Sequence, residues 1–141
     1  MATSVQHHLN QWRHNRTFLE SIDPAYPDWL VTASFYTALH VVDALLLHDH
    51  VTSVTSHDTR NRILGQTNRY KKINSHFYPL YDLSRTVRYL ADHQQWVPFS
   101  KIESEVFKRF LYPSETSVRK LAPTLPMEAG LIRLRTIGSA S

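Results

Sequence analysis

One segment limits the possible folds more than any other. Residues 28–48 carry Trp29, Val31, Ala33, Phe35, Tyr36, Leu39, Val42, Leu45 and Leu46 on more than one helical face. A helix that is apolar nearly all round has to be enclosed by others. Other amphipathic segments surround it in the chain. Val5, Leu9, Trp12, Arg16 and Leu19 recur at three- and four-residue steps within 3–20, with Thr3 or Ser4 as cap. Asp28 is placed to cap the central helix, and Ser56 to cap a third that runs through Gly65 to about Tyr70. A fourth helix is expected over 74–93; Pro79 moves its true start to Phe77 or Tyr78. Ser100 with Glu103 reads as a capping box for a fifth helix that ends near Leu111, and Pro113 kinks or stops it. Ser114 to Leu121 adds a turn or two. The expected fold is all-α: an antiparallel four-to-five-helix up-and-down bundle over 1–121, with an irregular tail over 122–141. Within the tail, Leu131 to Arg135 reads as a short strand or a docking segment.

Composition removes whole classes of chemistry. The 141 residues include no Cys, which excludes disulfides, Fe–S clusters and thiolate zinc sites. Three Gly, at Gly65, Gly130 and Gly138, cannot supply a dinucleotide fingerprint or a P-loop. No GxSxG elbow is present. His7-His8, His48-x-His50 and His40 with His57 lack an acid at ligand spacing, apart from Asp43 three residues after His40, so no metal or other cofactor is expected. No secretory leader is read at the N-terminus. The longest apolar run, broken by Asp43, reads as too short to span a bilayer. A cytoplasmic domain is the expectation.

Charge has a direction along the chain. Residues 1–56 hold two basic against five acidic side chains, 57–93 seven against three, and 94–141 seven against four. The net +4 is therefore carried after residue 56, which suits an anionic partner such as RNA. Tyr36, His40 and Asp43 share one face of the second helix, His57 and Arg60 one face of the third, and Arg85, Arg88 and Tyr89 one face of the fourth. If the fourth helix finishes where the second ends and the third begins, Asp43 and Arg88 lie about 8 Å from that end and His40 and Arg85 about 12 Å. His40, Asp43, His57, Arg60, Arg85, Arg88 and Tyr89 then converge. Asp43 on an apolar helix needs a cation, and Arg60 or Arg85 is its natural partner. The cluster reads either as a register-fixing ion-pair network or as an anion site.

The stretches YPDWLVTASFYTALH (26–40), SHDTR (56–60) and LYDLSRTVRY (80–89) together resemble prokaryotic proteins of the HEPN superfamily. The resemblance covers about residues 5–120. It implies a helical bundle that commonly dimerises. Many members are metal-independent endoribonucleases of toxin–antitoxin or defence systems; others are non-catalytic partners of nucleotidyltransferases or RNA-binding accessories. Active members carry an Arg with a polar residue after it, and four to six residues in all between the Arg and a His. Arg88 with His93, and Arg69 with His76, match by length, each with Tyr after the Arg, which departs from the pattern. His57 and Arg60 facing Arg85 and Arg88 form the alternative catalytic set. On the nuclease reading, a neutral His takes the 2′-OH proton, Arg stabilises the phosphorane, and a 2′,3′-cyclic phosphate results. Arg69, Lys71 and Lys72 would grip the backbone, and Tyr70 or Tyr78 would stack a base. On the alternative reading the chain is a non-catalytic interaction module for a homodimer, an antitoxin, a nucleotidyltransferase-like protein or RNA. Trp12, Phe18, Phe107 and Phe110 would be its surface if they are not core, whereas Trp29, Phe35 and Tyr36 are expected inside.

Overall fold

The computed structural model describes residues 4–89 and 97–136. Among these residues it is an all-helical bundle of five α-helices: α1 (Val5–Ser21), α2 (Pro27–His48), α3 (His57–Gln66), α4 (Lys71–Tyr89) and α5 (Tyr112–Leu121). No strand occurs among the described residues. In α1, Ser4 accepts the His7 N–H at 3.1 Å, while the His7 ring accepts from the Ser4 N–H. Ser56 caps α3 through the Thr59 N–H. Asp28 is not a cap; α2 begins with Pro27 at its first turn, where no N–H is missed, and Asp28 sits inside that turn.

The central position of α2 is borne out. Thirteen of its residues are buried, from Leu30 to Leu46. Its buried hydroxyls bond back along the helix, Ser34 to the Leu30 carbonyl and Thr37 to that of Ala33, both at 2.7 Å. At 22 residues it is long and apolar enough to cross a membrane, contrary to the expectation from its broken apolar run, but 72% of its apolar window is buried in the bundle. Trp29 departs from the expected core and is 57% exposed, whereas Phe35 is fully buried and Tyr36 half-buried. Trp12 and Phe107 are core, Phe110 is half-buried and Phe18 lies outside.

Two prolines do not end helices. Pro79 lies inside α4, which starts at Lys71 after a single 3-10 turn, Asn68–Tyr70. Ile73 and Phe77 before it, and Leu80 and Tyr81 after it, are all buried, so packing on both sides outweighs the lost backbone bond. The Ser100–Glu103 capping box does not form. A 3-10 turn, Phe99–Lys101, leads into π-helical turns over Glu103–Leu111 that run directly into α5. There the Tyr112 N–H reaches the Phe107 carbonyl five residues back. The widened turn gives the Pro113 ring room beside the preceding carbonyls, and the helix continues.

The end of α2 sets the route of the chain. His50 has φ 63°, in the left-handed region; its N–H bonds Leu47 and that of Val51 bonds Leu46. This is a Schellman close with His where Gly is usual. It turns the chain back, so Val51 and Val54 pack against the core and share a groove with Leu46 and Leu47 of α2. As a result α3 starts beside the middle of α2, with the His57 ring 5.7 Å from that of Phe35. Asp49, at the α2 end, meets Arg69 and Tyr70. So α4 starts at that end of α2 and runs away from it. The expected meeting of the α4 finish with the α2 end is corrected accordingly.

The far side is closed by a buried polar seam. Glu115 of α5, 1% exposed, accepts from the Trp12 indole N–H at 2.7 Å and from Arg16. Arg16 also donates to the Gly130 carbonyl, and Arg119 to that of Met127. Met127 and Ile132 are buried and the Ile132 N–H bonds the Tyr112 hydroxyl at 2.8 Å. The segment after α5 thus docks on α1 and α5 without forming a strand.

Candidate functional site

α2 has one half-exposed stripe, Thr32, Tyr36, His40, Asp43 and Leu47, at steps of three and four residues. Three members of that stripe are met from neighbouring helices, His40 by His8 of α1, Asp43 by Arg60 of α3 and Tyr36 by Arg88 of α4, and Arg60 in turn holds His57. Arg60 grips Asp43 with two parallel bonds, Nε to Oδ1 at 2.7 Å and Nη2 to Oδ2 at 3.1 Å. This two-pronged geometry suits a pair with side chains only 10% and 13% exposed. The third Arg60 prong, Nη1, lies 3.1 Å from His57 Nδ1. A guanidinium can only donate, so Nδ1 must accept, and the proton of a neutral ring sits on Nε2. Burial, then the charges of Arg60 and Arg88, hold His57 below the ordinary histidine pKa, in keeping with a neutral ring.

The second contact of this kind joins α1 to α2. His8 Nδ1 and His40 Nδ1 are 3.0 Å apart, so one ring donates and the other accepts. Burial lowers both pKa values; in His40 the neighbouring His8 adds to it.

Arg88 is fixed differently. It donates to the Tyr36 hydroxyl at 3.0 Å and the Ser84 carbonyl at 3.2 Å, and it lies 5.3 to 5.9 Å from the ring centres of Tyr89, Tyr36 and Phe35. Arg85 is exposed, 5.7 Å from the Tyr81 ring centre. Neither arginine has an acidic partner among the described residues. Among the described residues the face therefore offers two guanidinium groups without an acidic partner and the His57 Nε2–H, with Tyr89 75% exposed at its edge.

The structure brings His40, Asp43, His57, Arg60 and Arg88 together, with Arg85 and Tyr89 on the rim, at mid-α2. It supplies Asp43 with Arg60 and not Arg85. His93 lies outside the described residues. Arg69 sits at the other end of α2, bonded to Asp49 at 2.7 Å and to the Leu121 carbonyl, with Lys71 and Lys72 exposed beside it. Burial works against ionisation of Asp49, but the Arg69 and Tyr70 hydrogen bonds outweigh it and lower its pKa. Burial and then Asp49 push the Tyr70 phenol up to about 12. Among the described residues no three His, Asp or Glu side chains are grouped to hold a metal. The partner that sequence reasoning missed is His8. Its only sequence signal is its place beside Leu9, at the margin of the buried face of α1.

Searches against protein-family models, curated proteins and solved structures give no match to this chain.

Proposed function

We propose that this chain is a HEPN-like helical protein that binds RNA through its phosphates on the α3–α4 face. The observation that carries the reading is the pair Arg85 and Arg88, without acidic partners among the described residues, beside a neutral His57 that presents an N–H. Arg60 adds little net charge, because Asp43 cancels it. Two guanidinium groups and one ring N–H can donate to phosphate oxygens. Tyr89, 75% exposed, and Tyr78, 44% exposed, offer faces on which bases stack.

The same geometry favours binding over cleavage at His57. A general base for the 2′-OH needs a free ring lone pair, but Nδ1 is occupied by Arg60 and Nε2 carries the proton. The endoribonuclease proposal drawn from the HEPN resemblance would take its base from His93, with Arg88 on the phosphorane. The homodimer, the toxin–antitoxin or defence setting, an antitoxin or nucleotidyltransferase-like partner and a cytoplasmic location belong to the same proposal.

The test is a fluorescence-anisotropy titration of short single-stranded RNA between about 50 and 200 mM salt. Arg85→Ala and Arg88→Ala should each reduce the salt slope by about 0.7, the single-strand value for one phosphate. Wild-type binding without a salt slope would overturn the proposal. Incubating the same RNA in EDTA with wild type, His57→Ala and His93→Ala tests cleavage. A product that disappears only in His93→Ala would support the nuclease reading, and an intact substrate would dismiss it.

A further inference from the structure

We propose that a groove beside the phosphate-binding face is a nucleobase pocket with a preference for guanine. The groove has a volume of about 370 Å³ and lies between the start of α1, the last turns of α2 and the returning segment 51–54. That volume is within the range of about 300–1,000 Å³ usual for small-ligand sites. Leu47, Val51 and Val54 supply apolar surface against which a flat ring can lie, while His8, Asp43 and Arg60 supply the polar surface.

The Asp43–Arg60 pair decides which ring. Each Asp43 oxygen accepts one Arg60 bond, and a carboxylate has about four lone-pair sites, so acceptor capacity remains. Arg60 has about five N–H donors. Nε, one N–H of Nη1 and one of Nη2 are engaged with Asp43 and His57, so others remain unused among the described residues. The groove therefore presents an acceptor edge directly beside a donor edge. Guanine offers the complement, with N1–H and N2–H as adjacent donors and O6 as an acceptor next to them. Uracil has a single N–H between two carbonyls, one of which would face the carboxylate. Arg60 also touches His57, so the groove and the His57 side of the phosphate-binding face meet at one guanidinium group.

This inference rests on the RNA reading but can fail separately from it. Calorimetric titrations with guanosine monophosphate, uridine monophosphate and inorganic phosphate compare base with phosphate. Guanosine monophosphate should bind about tenfold tighter than uridine monophosphate, and Asp43→Asn should remove that preference. Because Asp43→Asn also disturbs an ion pair, a second variant is needed. Thr52→Trp places a bulky ring on the groove rim from an exposed position. It should weaken guanosine monophosphate by about tenfold while leaving melting temperature and the RNA salt slope unchanged. Equal affinity for the two nucleotides and phosphate, with Thr52→Trp silent and the RNA slope intact, would overturn the pocket alone. Guanosine preference without a salt slope for RNA would uphold the pocket and overturn the RNA reading.

Discussion

Replacing Glu115 with Gln tests the seam between α1 and α5. Glu115 is 1% exposed and accepts from both Trp12 and Arg16, which is itself 9% exposed. Gln keeps the volume and a carbonyl for the Trp12 N–H, but leaves the Arg16 charge buried without its counter-ion. Removing one member of a buried pair costs about 3–5 kcal/mol. A domain of this size has about 5–15 kcal/mol in total, so a large part of its stability is at stake. At about 4 °C of melting temperature per kcal/mol for a chain of this length, a fall of roughly 12–20 °C is expected. Urea unfolding followed by tryptophan fluorescence gives the free energy, and an unchanged m-value confirms that the same surface is exposed. The control is the double variant Arg16→Met/Glu115→Leu, which removes both charges. It leaves the buried Trp12 N–H without a partner and hands the carbonyl of exposed Gly130 to water, and should lose about 1–3 kcal/mol. A single variant within about 1 kcal/mol of wild type, or a double variant worse than the single, would mean that the buried Arg16–Glu115 charges do not hold α1 to α5.

Three further outcomes follow from features of α2, α4 and the histidines. His8, His40 and His57 all have folded pKa values below their ordinary value of 6.5. As pH falls through that value the unfolded chain takes up protons first, so stability present at pH 7 is lost towards pH 5; urea midpoints across that range should decline, and the decline should be smaller in His8→Asn/His40→Asn. His50→Gly relieves a left-handed backbone at the α2 close, and a gain of about 0.5–1 kcal/mol is expected by thermal melting; a loss would mean that the His50 side chain is needed. Pro79→Ala restores an N–H for the Ser75 carbonyl and should raise the melting temperature, since an interior proline costs about 3 kcal/mol; a lower value would show that α4 packs only with the proline in place.

Features held by neighbours in the chain were legible in the sequence. Ser4 and Ser56 cap their helices through residues three positions away, and the all-round apolar pattern of α2 made it the central helix. Features decided by distant packing were not legible. Pro79 and Pro113 read as breaks because local propensity cannot register the buried Ile73, Phe77, Phe107 and Val118 around them. The candidate site was legible as a set of residues, since spacing placed Tyr36, His40 and Asp43 on one face, and Arg60 was an expected partner for Asp43. Its depth in the bundle was not. The turn at His50 has no glycine to announce it, and it shifts the start of α3 from the end of α2 to its middle. The His8–His40 contact spans 32 positions and leaves no periodic trace.

The seam around Glu115 also has a consequence for synthesis. Arg16 and Glu115 are 99 positions apart, so at about 5–20 residues per second α1 leaves the ribosome several seconds before its counter-ion exists. During that interval α1 can pair with α2 through Leu9, Trp12 and Leu19, but Arg16 must stay hydrated at the edge of the forming core. Burial of Arg16 beside its counter-ion therefore completes only once α5 has been made.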